Sequence, residues 1–382
     1  MALRRLMTRS STRRAGLGLA TSAMTLTGLT GAGTAETPAQ AKPTYDVGVF
    51  ARVPASPGLP EGIVVAPTGK VYVATNPGGN GPTGPPFGVP SELLAYAKSG
   101  KLVDRLIIKG QNLASAALPA YGLQALAMDA RGFVYAADKS PARILKINPR
   151  TGVQRTYASF RDVPSCALTG RTTRCSDTAT DLAPFPDYIV FGPGGSLYVS
   201  DFQQALIWEV SPGGGKPHIA FTDASLDGGM GPNGMQFRDE RTLYLATSLN
   251  APGVGTPGAG RIYSLTRKRD TFRNQRVLYE SRPGDGPDGF ALDTRGRIYL
   301  NFFLANQIAI LSPRGAELRR VPANPVENQK LPIPLDSPAS SAFRPDGMLL
   351  VTNHAVNTRN PLSFAVLTVD VESKGLPLFK PR

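Results

Sequence analysis

PDGFALDTRGRIYLN, residues 287–301, is one of six copies of a phrase that recurs along this 382-residue chain. In it FALD and RIYLN are short runs rich in apolar, β-branched and aromatic residues, and TRG between them carries a turn glycine. That pattern reads as two antiparallel strands. Reading onward, NQIAILSP, RGA and ELRRVP add a third strand, a turn and a fourth strand. The other copies are PEGIVVAPTGKVYVA from Pro60, LQALAMDARGFVYAA from Leu123, PDYIVFGPGGSLYVS from Pro186, PNGMQFRDERTLYLA from Pro232 and PASSAFRPDGMLLVT from Pro338. Their second residues fall at 61, 124, 187, 233, 288 and 339, giving successive spacings of 63, 63, 46, 55 and 51 residues. Four strands per repeat at roughly 40–50 residues is the signature of propeller blades. The sequence therefore predicts an all-β, six-bladed β-propeller of four-stranded antiparallel blades. Closure is expected from pairing of the terminal strands, because YDVGVFARV (45–53) resembles the outer strands and FAVLTVDV lies near the C-terminus. The tail LPLF (376–379) competes for the same slot.

One position in the phrase changes chemistry while its surroundings stay fixed. Eight residues before the turn glycine stand Glu61, Gln124, Asp187, Asp288 and Ala339. The fourth copy has Arg241 at the turn, and its tyrosine register puts Asn233 in that slot. These residues open the innermost strands, so their side chains can converge near the axis as a ring of oxygen ligands. Three crowded carboxylates would have to take up protons unless a cation joined them. A hard cation such as calcium suits that oxygen set, and zinc does not, because neither His nor Cys occupies the ring. The competing reading makes Asn233-Gly234 and Asp288-Gly289 turn residues between blades; it explains Glu61 and Asp187 poorly. The longest irregular segments, 76–90, 250–260 and 354–361 within blades and 108–122, 161–186, 223–232 and 322–337 between them, all fall on the face where the ring opens. Binding is expected at that face.

Composition adds limits. Five arginines precede a mildly apolar stretch and Ala39-Gln40-Ala41, so residues 1–41 read as an export signal of twin-arginine type. The propeller then occupies 42–382, and the exported chain is expected outside the cytoplasm without stable membrane insertion. Removing the signal lowers the net charge from +14 to +10. The remaining basic residues are scattered without interleaved aromatics, which argues a solvated surface and not a nucleic-acid footprint. Cys166 and Cys175 are the only cysteines and read as a disulfide closing a small loop in an exported protein. His218 reads as surface structure, and the lone Trp208 as blade-to-blade packing. There is no G-x-S-x-G elbow and no H-E-x-x-H zinc motif.

The phrases LPEGIVV, GPNGMQF and GPDGFALD resemble those of the gluconolactonase/regucalcin (SMP-30-like) family of six-bladed calcium-binding propellers, with paraoxonases and strictosidine synthase-like proteins as cousins. The resemblance implies divalent-metal ligands at Glu61, Asn233 and Asp288. A further family Asn falls where this chain has Pro186, with Asp187 next to it standing in. The function so implied is calcium-dependent hydrolysis of lactones or related cyclic esters by a monomer. Asp187 is favoured as base, with Asp288 the other candidate. Gln124 is an accessory ring position. His354 is an alternative base by analogy with paraoxonases, set against an ordinary loop histidine bonded locally. The rival reading is a non-catalytic propeller binding a protein or cell-wall polymer, because YVSDFQQALIWEVSP and YAADKSPARILKINP also resemble NHL-type blades.

Overall fold

The computed structural model describes residues 45–77, 88–114, 121–170, 175–269 and 271–382. The export signal expected at 1–41 lies outside the described residues, as does most of the 76–90 loop. Six four-stranded antiparallel sheets make up the rest. In the fifth blade the strands are Pro287–Leu292, Ile298–Phe302, Gln307–Leu311 and Glu317–Val321, as its sequence predicts. In the sixth blade the N-terminal strand Val47–Arg52 pairs with Ala365–Val369, completing the sheet begun by Pro338–Phe343 and Leu349–Asn353. The N-terminal strand thus wins the slot for which the tail competed, and the ring is closed by joining the two ends of the propeller in one blade. No helix among the described residues is long and apolar enough to cross a membrane.

The apolar core is divided into six clusters, each shared by two successive blades. The repeated tyrosine explains part of this arrangement. Tyr135, Tyr198 and Tyr299 each set their ring edge-on against Phe191, Phe237 and Phe343 in the inner strand of the next blade, at centroid distances of 4.9, 5.3 and 5.5 Å. That geometry suits the aromatic quadrupoles. Trp208 belongs to the cluster between blades two and three and donates its indole N–H to Asp201. His218 is exposed and faces Glu209 at 3.3 Å.

Each inner strand breaks register at the variable position. Between Pro60 and Ile63 three steps oppose the two from Thr75 to Val73, and the same one-residue bulge recurs at Leu123, Pro186, Pro232, Pro287 and Pro338. A bulge re-aims a side chain without ending the strand, and here it turns the slot residue toward the axis. The glycine that follows is required by close approach. A Cβ at Gly62 would collide with the Gln124 carbonyl oxygen; one at Gly234 would stand 2.6 Å from that of Asp288, and one at Gly289 2.7 Å from that of Ala339. Asn233-Gly234 and Asp288-Gly289 therefore sit inside the strands Pro232–Phe237 and Pro287–Leu292, which removes the inter-blade turn reading.

Candidate functional site at the axis

The second strand of one blade holds the slot backbone of the next. The Ser200 hydroxyl donates to the Asn233 carbonyl (2.9 Å), the Asn301 amide to the Ala339 carbonyl (2.7 Å), and the Thr352 hydroxyl to the Glu61 carbonyl (2.6 Å), which ties blade six to blade one. Ser248 does the same for Pro287, the residue before Asp288 (2.7 Å). Sequence reasoning passed over these anchors, although the signal was visible: Ser200, Asn301 and Thr352 are the fifteenth residues of their copies, where three others carry alanine.

Five slot residues, Glu61, Gln124, Asp187, Asn233 and Asp288, line one small cup on the loop face, hereafter the upper face, together with His354. Ala339 is buried but not among them. A collar of Phe185, Phe202, Met230, Phe303 and Val356 completes the wall, and the free volume is about 20 Å³, enough for one water or ion. All six polar residues are buried. The Gln124 side-chain oxygen Oε1 accepts from the Asn76 side-chain amide (3.2 Å), and the Asn233 side-chain amide donates to Ser248 Oγ (3.2 Å). Asp288 Oδ1 accepts from the Gly289 N–H (2.8 Å).

His354 is drawn further into the site than a locally bonded loop histidine would be. Its Nδ1 lies 2.6 Å from Glu61 Oε2, in a contact that lacks hydrogen-bond alignment. Glu61 Oε2, Asp187 Oδ2 and His354 Nε2 are all buried without a hydrogen-bond partner among the described residues. Orphaned polar atoms of this kind are uncommon inside proteins and call for a reason.

Electrostatics follow from this crowding. Burial, and then the Glu61 carboxylate, hold Asp187 well above the usual carboxylate range, with the Lys139 ammonium opposing. Burial, Glu61 and Asp187 do the same to Asp288, while the Gly289 N–H and Asn233 pull the other way. Lys139 is the residue that sequence reading missed. It is fully buried just beyond the strand Val134–Asp138, where the third copy carries Phe202, and its Nζ lies 5.4 Å from the Phe185 ring centre. Burial lowers its pKa to about 8, although Glu61, Asp187 and Asp138 each favour the charged form. Beneath the cup, Tyr188 forms a floor. Its buried phenol is held above its ordinary range by burial and by Asp288, Asp187 and Glu61, and its hydroxyl pairs with Ser340.

Among the described residues no three His, Cys, Asp or Glu side chains stand close enough together to hold an ion as arranged. The donor set nonetheless fits a hard cation. Carboxylate and amide oxygens predominate, two carboxylate oxygens accept no hydrogen bond, and the free volume matches an ion. On the same face the irregular connection before blade three is stapled by a disulfide between Cys166 and Cys175, with Cα atoms 5.0 Å apart.

With this geometry in view, comparison with known proteins is informative. Residues 190–331 match the family profile described as the SMP-30/gluconolactonase/LRE-like region. The segment contains Asn233 and Asp288 but not Glu61 or Asp187. No curated protein matches the chain by sequence. Among solved structures, a calcium-binding regucalcin from Agrobacterium tumefaciens superposes with a TM-score of 0.57 at 18% identity, covering 88% of this chain and 99% of its own. A gluconolactonase from Xanthomonas campestris gives 0.54 at 15%, covering 85% and 89%. A putative glucose dehydrogenase-type oxidoreductase from Thermus thermophilus gives 0.54 at 16%, covering 85% and 100%. At such identities the likeness establishes the fold, and one fold carries several chemistries.

Proposed function

We propose that this chain is a divalent-cation-dependent hydrolase of lactones or related cyclic esters. The observation that carries the reading is the convergence of Glu61, Asp187, Asn233 and Asp288, from four different blades, on one buried cup in which two carboxylate oxygens accept no hydrogen bond. The family match and the names of the structural neighbours support it. Glu61, Asn233 and Asp288 would hold the ion, most suitably calcium. A hard cation bound there supplies Lewis-acid polarisation of an ester carbonyl.

The chain's own groups supply the rest. Asp187 Oδ2 is unengaged, and burial raises the proton affinity of its carboxyl, which suits it to accept a proton from attacking water. His354 orients Glu61 through their close contact. The cup is too small for a ring ester, so the substrate would lie above it against Phe185, Phe202, Met230, Phe303 and Val356, whose apolar surfaces exclude bulk water. One observation favours a second, non-catalytic reading. Lys139 already provides an internal counter-charge to Glu61 and Asp187, so the cup can be braced without turnover.

Hydrolysis of a panel of small lactones, assayed with calcium, with chelator and with Asp288→Ala, separates the two. The enzyme reading expects turnover that chelator removes and Asp288→Ala lowers by at least about a hundredfold. Absence of turnover across the panel in the calcium-loaded protein leaves the binding reading in its place.

A further inference from the structure

The inner strands also enclose a second cavity, larger than the acidic cup. It occupies the lower half of the channel, beneath Tyr188, with a volume of about 390 Å³, and every inner strand contributes to its wall. Val65, Leu126, Met128, Ile189, Phe290 and Leu292 are representative of that wall. The C-terminal tail crosses its mouth. The Leu376 N–H donates to the Leu292 carbonyl in blade five (2.8 Å), Phe379 packs edge-on against Phe237 in blade four (5.8 Å), and the Pro381 carbonyl accepts from the Ala130 N–H in blade two (2.9 Å). The tail is therefore a strap joining opposite blades, and it makes the lower channel a covered pocket.

The charge of this pocket is one-sided. Its lining includes Arg344, Lys374 and Lys380 and no acidic residue. Arg344 is engaged by Asp346 at 2.6 Å. Lys380 is half-buried and has no hydrogen-bond or ion-pair partner among the described residues. Burial holds its ammonium below the usual lysine range, and no carboxylate opposes that cost. An apolar volume within the usual size range of ligand sites, lined at one end by two ammonium groups without partners among the described residues, the exposed Lys374 and the half-buried Lys380, is complementary to a chain with an anionic head.

We propose that the lower channel binds an aliphatic carboxylate of medium chain length, its alkyl chain among the inner strands and its head group on Lys380. This site is independent of the acidic cup and needs neither a metal nor hydrolysis. The test is isothermal titration calorimetry of the full chain with decanoate and with decanol, in chelator. Saturable one-to-one binding of decanoate is expected. Lys380→Gln should weaken decanoate about tenfold, the scale of one charge-assisted hydrogen bond, and leave decanol unchanged, which also shows that the variant's pocket is intact. Asp288→Asn, in the other half, should leave decanoate affinity unchanged. Three results would overturn the proposal: no saturable decanoate binding, equal decanoate affinity with and without Lys380, or loss of binding in Asp288→Asn.

Discussion

The upper and lower halves of the channel are made by the same six strands, and they are opposite in kind. Above Tyr188 each strand is bulged, its slot side chain turned to the axis, and five of the six are polar. Below it the strands run on without a break, and no acidic residue lines the space. The upper half gathers three buried carboxylates and leaves two of their oxygens without a hydrogen bond among the described residues. The lower half contributes most of the apolar wall and is tied across by the tail. The contrast shows where a propeller can carry destabilising groups: at the strand ends, where one extra residue re-aims a side chain while the inter-blade packing below remains intact.

Gly289 marks the boundary, and replacing it is the most forceful way to break the contrast. A Cβ there would stand 2.7 Å from the Ala339 carbonyl oxygen and 2.9 Å from Tyr188 Cε2. Gly289→Ala must move either backbone or the floor. A loss of roughly 3–4 kcal/mol in denaturant unfolding is expected, with loss of divalent-ion binding. An effect below about 1 kcal/mol would mean that the inner strands are less tightly apposed than described.

The second prediction concerns pH, and its source should lie in the upper half alone. Asp187 and Asp288 have folded pKa values above their unfolded ones. Their contribution to stability is thus fully present below about pH 4, the unfolded carboxyl range, and is lost as pH rises through the folded values. Asp138, pushed up to about 6 by burial against the pull of Gln111 and Arg143, adds to the same slope between about pH 4 and pH 6. Metal-free protein should lose up to about 1.4 kcal/mol per pH unit per titrating carboxyl across that window. Asp187→Asn should flatten the curve, and a divalent ion should restore more stability at pH 7 than at pH 4. A flat stability profile in the metal-free wild type would show that the cup is better compensated than its orphaned atoms imply.

Much of this architecture was legible in the sequence because its signals are local and repeated. Strand, turn and strand recur at each copy, and the slot residue can be counted back from the turn glycine. Glu61, Asp187, Asn233 and Asp288 were read as converging on that basis, and they line the same cup. What sequence reasoning could not reach depends on neighbours far along the chain. Lys139 follows an ordinary second strand, and only the packing of Phe185 and the field of Glu61 and Asp187 make it part of the site. His354 looked like a loop residue because its partner, Glu61, is at the other end of the sequence. The tail read as a spare strand, since LPLF carries strand propensity; its role as a strap is fixed by Leu292, Phe237 and Ala130.

A third prediction sharpens the charge balance of the upper half. Lys139 neutralises part of the field that would attract a divalent ion to Glu61 and Asp187. Lys139→Met should tighten calcium binding by about tenfold, or ~1.4 kcal/mol, because one buried positive charge is removed beside the ion. The same change should lower the thermal stability of the metal-free protein, whose carboxylates lose their counter-charge. Calorimetric titration of both forms checks this. Unchanged or weaker calcium affinity in the variant would show that Lys139 braces the cup without sharing its field.

The smallest expected effect falls on the lower half. Phe379 is only half-buried, yet it packs on the clusters of blades two to four and meets Phe237 edge-on. Phe379→Ala should therefore cost about 1–2 kcal/mol, less than truncation of a fully buried phenylalanine, which costs roughly 3–5 kcal/mol. Because the strap touches none of the cup residues, calcium affinity should not change, and any lactone turnover should persist at the wild-type rate. Chemical denaturation read beside calcium titration tests both statements together. A Phe379→Ala variant that kept its stability but lost calcium binding would join the two halves energetically, and the separation drawn at Tyr188 would have to be abandoned.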